Sequence, residues 1–244
     1  MVSSAPPQLP SSRQDRVAAL VDDGATMQFG LGATPECVAA LLSDRKHLGL
    51  HTGVMSDAAM ALIRSGAIDN SRKPFDKGIS IAGGLLGSSS LLEFADANPG
   101  ISLRPTDYTH DIGRLAALPR FIAVNSALEV DLSGQANTES LGGRYIGAIG
   151  GAVDFSRGAH ASHGGLPIIA LTATAQARDG TVTSRIVRNL AGPATIGRGD
   201  IGLVVTEFGV ADLRGLSLEE RAQRLIDVAD PRFRDELAAA APWT

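Results

Sequence analysis

The stretch HTGVMSDAAM, residues 51–60, sets a histidine and a threonine beside a glycine and follows them with a helix start. A strand end running into a loop and a helix is where an α/β enzyme places its reacting groups. Yet the position after His51 and Thr52 is Gly53, which has no side chain. Asp57, the nearest carboxylate, suits a helix start, where acids offset the helix dipole. Met55 reads as a core filler. Glu207 in VVTEFG differs from these: an acid closing an apolar strand must be paired, exposed or functional.

Two glycine-bearing segments are candidate ligand loops. In FGLGATPE, Gly30 and Gly32 either let the backbone approach a ligand, with the next helix turning free N–H groups to an anion, or simply make a tight turn. Pro35 stands where a dinucleotide fingerprint needs its third glycine, which argues against NAD. GGRYIGAIGGAVDFSRGAHASHGG, residues 142–165, is rich in glycine pairs. Such a segment can fold around a phosphate-bearing ligand and offer N–H donors to an oxyanion, or be a flexible surface loop. His160 and His163 lie in it, and a lone histidine is more often structural than catalytic.

The elements that must position these residues follow from periodicity and caps. Helices are expected over RQDRVAALVDDG, closed by Gly24, over TPECVAALLSDR, with Thr34 as N-cap and Pro35 at the first helical position, and over SDAAMALIRSG, with Ser56 as N-cap. ATMQFGLG, HLGLHTGVM and GISIAGGLLG read as strands, and SSLLEFADANPG as a short helix. ISLRPTDYTHD reads as strand and loop, and RFIAVNSALEVDLSGQAN as a β-ribbon turning at Ser133-Gly134. LPIIALTATA and IGLVVTEFGVADL are buried-strand candidates. SLEERAQRLIDVA carries a capping box from Ser217 to Glu220, and DPRFRDELAAAA closes the chain as a helix. This order predicts an α/β fold: an open, parallel-rich sheet flanked by helices, in one domain over 13–244 behind a flexible Pro/Ser leader over 1–12.

Bulk properties narrow the classes. With 244 residues and 44% hydrophobic content, the chain can bury one sizeable core. A net charge of −4 gives no electrostatic case for nucleic acid or an anionic membrane. Cys37 is the only cysteine, so no internal disulfide forms, and five scattered histidines do not suggest a metal site. No apolar h-region or membrane-length apolar run occurs, so a cytoplasmic protein is expected.

VNSALEVDLSGQAN, IGGAVDFSRGA, GGLPIIALTATA, SRIV and VVTEFGVADLRG, joined by DGATMQFGLGATPE and LGLHTGVMSD, together resemble the acetyl-CoA hydrolase/CoA-transferase family. That family includes 4-hydroxybutyrate and succinyl-CoA:acetate CoA-transferases. The likeness covers about residues 12–238 and only the second half of a two-half fold. It implies coenzyme A as substrate thioester, no metal, and assembly as a homo-oligomer or with a chain supplying the N-terminal half. In the family, a glutamate after His-Thr attacks the thioester and becomes a glutamyl-CoA intermediate. The matching position here is Gly53. Gly30, Gly32, Gly150 and Gly151 match the coenzyme-binding loops, and Ala148 matches a glycine of the oxyanion site. The resemblance therefore implies acyl-CoA chemistry without the covalent glutamate, run by acid/base groups for which His51, Glu207 and His163 are the candidates. Hydrolysis, hydration, decarboxylation and C–C cleavage are open to it. The alternative is a non-catalytic coenzyme-binding or structural subunit.

Overall fold

Apolar residues change sides along the central strands. Ile122 and Val124 join one buried cluster, whereas Phe121 and Ala123 join another on the opposite face. Ile168, Ala170, Leu203 and Val205 face the first cluster, and Ile169 and Val204 face away from it. Strands buried on both sides require covering layers on both sides, which is the α/β/α solution. The computed structural model describes residues 12–241. Residues 1–11 of the expected leader lie outside the described residues. Ser12 instead caps the first helix, forming a capping box with Asp15.

The main sheet has eight strands: β1 (Thr26–Phe29), β2 (Gly49–Met55), β3 (Ser80–Leu85), β4 (Ile101–Leu103), β5 (Phe121–Asn125), β6 (Leu166–Ala170), β7 (Leu203–Thr206) and β8 (Gly209–Asp212). Their order is β8-β7-β6-β5-β1-β2-β3-β4. All pairs are parallel except β7 with the edge strand β8. Helices α1 (Arg13–Ala18), α2 (Ala33–Ala40), α3 (Asp57–Arg64) and α4 (Ser89–Ala95) supply side chains to the first cluster. After the short α5 (Thr106–Thr109), helices α6 (Ile112–Ala116) and α7 (Ala152–Ala161) cover the other face. There α8 (Leu218–Asp227) and α9 (Arg234–Ala240) extend the layer. Among the described residues no helix is long and apolar enough to cross a membrane.

Sequence order runs outward from β1 to β4, then jumps to β5 on the other side of β1. Such a reversal opens a crevice at the carboxyl ends of the strands. Gly30 and Asn125 sit at that point, where the Gly30 N–H donates to the Val124 carbonyl at 2.8 Å.

Three local expectations need correction. Residues 121–137 are not one ribbon: β5 belongs to the main sheet, and only Glu129–Asp131 and Ala136–Asn137 form the hairpin, turning through Gly134 at φ +87°. Residues 152–161 are helix rather than loop. Phe155 and Ala159, four apart, bury one stripe, and Gly158 is glycine because a β-carbon there would lie 2.3 Å from Leu115. The cap of α2 is Gly32 at φ +119°, not Thr34, whose hydroxyl inside the helix accepts from Arg13 at 3.0 Å. The Ser217–Glu220 capping box forms as expected.

Candidate functional site

A cavity of about 840 Å³ opens at the carboxyl edge of the central strands. That is within the usual range for a small-molecule site. Gly30, Leu31 and Gly32 line it from the turn after β1, Gly53 and Val54 from β2, Gly83 and Gly84 from β3, and Asn125 from β5. Residues 146–152 form its outer wall and lead into α7. The turn after β1 and the 146–151 loop thus each end at a helix start, α2 and α7, whose first N–H groups lack intrahelical partners and favour an anion.

The glycines are there for space. A β-carbon on Gly30 would lie 2.5 Å from Oδ1 of Asn125, one on Gly147 2.2 Å from the Thr138 carbonyl, and one on Gly151 2.2 Å from Nε2 of His110. Gly150 has φ +57°, a left-handed conformation that disfavours side chains. Gly83 is equally constrained, since its β-carbon would meet the Gly53 carbonyl at 2.7 Å.

The space beside Gly53 is not a simple vacancy. A β-carbon there would lie 3.3 Å from both Nε2 of His110 and Cε2 of Phe155. The two rings pack with centroids 4.6 Å apart. No aspartate or glutamate is among the described residues lining the cavity, and His110 and Arg185 are the only titratable groups among them. Burial lowers the His110 imidazole below its ordinary value, against a raising influence of Asp154. Burial likewise lowers the Arg185 guanidinium, with Glu207 opposing.

Of the residues expected from sequence, Gly30, Gly32, Gly53, Ala148, Gly150 and Gly151 come together around this cavity. His51, Glu207 and His163 do not line it. His51 points into the protein with no exposed surface, and its Nε2 meets the Thr109 carbonyl at 3.1 Å. His163 is exposed in the turn before β6, whose carbonyl accepts from the Arg120 N–H. That turn feeds the amino edge of the sheet, opposite the cavity. Glu207 accepts from the Ala173 N–H at 3.0 and 3.2 Å and stands 3.9 Å from Arg13, so it is a paired acid.

Sequence reasoning missed His110, Arg185, and the amide pair Gln28–Asn125, whose two reciprocal hydrogen bonds measure 3.1 and 3.2 Å. Gln28 and Asn125 could have been flagged as amides in otherwise apolar strands. His110 follows the fourth strand of a parallel sheet, a place that becomes informative only once strand order is known.

Burial, with Lys73 nearby, lowers the His51 imidazole from 6.5 to about 4. The fold thus excludes a proton that the unfolded chain takes up below pH 6.5. This contribution is neutral above that pH and destabilises progressively down to pH 4, by about 3 kcal/mol at the limit. Denaturant unfolding at pH 7.5 and 4.5 should show a smaller acid loss for His51→Gln than for the parent, by about 2–3 kcal/mol. Equal losses in the two proteins would contradict this.

Comparison with known proteins agrees with the geometry. The family described as "Acetyl-CoA hydrolase/transferase C-terminal domain" matches residues 87–241. The succinyl-CoA:cyclohexane-1-carboxylate CoA transferase of Geobacter metallireducens is 42% identical over 92% of this chain and 51% of its own length. The 4-hydroxybutyrate coenzyme A transferase of Clostridium kluyveri is 38% identical over 91% and 52%. Among solved structures, RipA from Yersinia pestis superposes with a TM-score of 0.88 at 42% identity, over 99% of this chain and 54% of that one. The 4-hydroxybutyrate CoA-transferase of Porphyromonas gingivalis gives 0.80 at 37% identity, over 93% and 53%. The chain spans about half the length of the curated relatives it matches. With a parallel sheet, a glycine-lined cavity at its switch point and these matches in agreement, the chain belongs to the acetyl-CoA hydrolase/CoA-transferase family.

Proposed function

We propose that the cavity receives the thioester end of an acyl-coenzyme A and that its chemistry runs without a covalent carboxylate. The observation that carries this reading is the wall itself: residue 53 is glycine, and no described cavity-lining residue is an aspartate or glutamate. A carboxylate nucleophile needs a side chain that reaches the thioester carbon, and the wall offers none. The glycine loops at Gly30, Gly32, Gly150 and Gly151 leave room for pantetheine. The N–H groups at the start of α7, next to Ala148 and Gly151, suit a developing oxyanion. Hydrolysis, hydration, decarboxylation or C–C cleavage is open to acid/base catalysis there.

Arg185 is the cation for an anionic part of the ligand, a phosphate or an acyl carboxylate. Its side chain makes no hydrogen bond among the described residues, and its backbone is pinned between Ala173 and Val130. Calorimetric titration with CoA and a panel of acyl-CoAs tests the reading, together with assays for thioester turnover. Arg185→Gln should weaken binding about tenfold, a loss of about 1.4 kcal/mol. His163→Ala and Glu207→Gln should leave binding near the parent's value. Absence of CoA binding by the folded parent would sink the reading.

A second reading rests on the cavity's rim. Leu31, Ile146 and Ile149 are 55, 58 and 60% exposed around the mouth. This apolar rim favours a subunit that pairs with a chain resembling the N-terminal half of the relatives, or with itself. Co-purification with such a chain, and turnover only in the pair, distinguishes this reading from a self-sufficient enzyme.

A further inference from the structure

We infer that His110 is the general base of this site, activating water against the thioester carbonyl from the space that a side chain at residue 53 would occupy. The inference rests on the proposed acyl-CoA reading and adds the group and the co-reactant, water.

Three observations carry it. First, Nε2 of His110 lies 3.3 Å from the point a β-carbon on residue 53 would take. His110 also lines the cavity, and an oxygen held there about 3 Å from Nε2 is within hydrogen-bond reach. Second, the ring is aimed from behind. Its Nδ1 is 2.8 Å from the Thr109 hydroxyl, which also lies 3.3 Å from the Pro105 carbonyl. With the hydroxyl hydrogen on Pro105, Nδ1–H donates to Oγ1 and Nε2 presents a lone pair to the cavity. Nε2 itself has no hydrogen-bond partner among the described residues. Third, the mount is rigid. The Thr109 carbonyl is held by the buried His51 ring, and Phe155 braces the imidazole. His51 is thus a positioning residue for Thr109 rather than an acid/base group.

The step balances as follows. Water oxygen bonds to the thioester carbon while Nε2 takes one water proton. The tetrahedral oxyanion faces the N–H groups at the start of α7. On collapse the carbon–sulfur bond breaks, the thiolate leaves with the electron pair, and it recovers the proton from the imidazolium. The products are free CoA thiol and a carboxylic acid, which releases its proton to solvent.

The test uses the full chain, acetyl-CoA and longer acyl-CoAs, thiol release as the rate, and a thioether analogue of acetyl-CoA for binding. In the parent, thiol release and analogue binding should both be measurable. His110→Gln should lower thiol release at least a hundredfold, with analogue affinity within threefold of the parent. In His110→Ala, added imidazole should restore part of the lost rate, which a merely structural defect would not allow. Thr109→Val, which keeps the side-chain volume but removes the hydroxyl that holds Nδ1, should lower the rate and shift its pH profile. Parent binding without thiol release, or His110→Gln releasing thiol at the parent's rate, overturns the inference and leaves the binding site standing. Failure of the parent to bind the analogue overturns the reading beneath it.

Discussion

Gly151→Ala should disable the cavity while leaving the sheet intact. The new methyl would lie 2.2 Å from Nε2 and 2.3 Å from Cδ2 of His110, and 3.0 Å from Cε2 of Phe155. Real β-carbons do not approach so closely, so the imidazole or the 146–151 loop must move. The ring cannot simply swing away, because Thr109 holds Nδ1 on one side and Phe155 packs against it on the other. Overpacking of this kind costs about 1–3 kcal/mol. Its effect on turnover should be larger, since a displacement of about 1 Å can lower a rate on the order of a hundredfold. Gly84→Ala is the matched control: it lines the same cavity, but its β-carbon would meet nothing within 4 Å. Thermal unfolding and thiol release measured on both variants should separate them. Parent-like activity in Gly151→Ala would mean the ring is not where the chemistry occurs.

Phe155→Ala should carry the largest stability loss. Phe155 is 2% exposed and links the site to the core, packing against His110 at 4.6 Å and Phe121 at 6.4 Å between ring centroids. Truncating a buried phenylalanine costs about 3–5 kcal/mol. In a domain of this size that lowers Tm by roughly 6–20 °C. The same change removes the brace behind His110, so activity should fall in the fraction that stays folded. Phe155→Leu, which keeps most of the volume, should retain more of both. A Tm for Phe155→Ala within 2 °C of the parent would show that the packing is not what holds this wall.

Much of the architecture was legible because it depends on local signals. Near-continuous apolar runs at 166–170 and 203–206 became central strands, and the Ser217–Glu220 box started α8. Gly30, Gly32 and Gly53 were legible because their neighbours in sequence place them at or near the carboxyl ends of β1 and β2. Parts that depend on strand order were not. His163 sits among the same glycines as the site but before a strand rather than after one, which puts it on the wrong edge. His51 precedes Gly53 by two residues, yet its ring is buried against Thr109. His110 falls in a segment that reads as loop, and only the pairing of β4 with β3 and the turn of α5 bring its ring beside Gly53. The glycines of residues 142–165 concealed α7, because Gly158 disfavours a helix on its own and is explained only by Leu115 against it.

Mass spectrometry of the protein mixed with acyl-CoA, recorded under native and then denaturing conditions, tests the non-covalent cavity most directly. The expected native spectrum shows the protein carrying coenzyme, and the expected denatured spectrum shows the unmodified chain mass. An acyl or CoA adduct that survives denaturation and maps to a carboxylate would contradict it, as would a native spectrum in which no coenzyme binds.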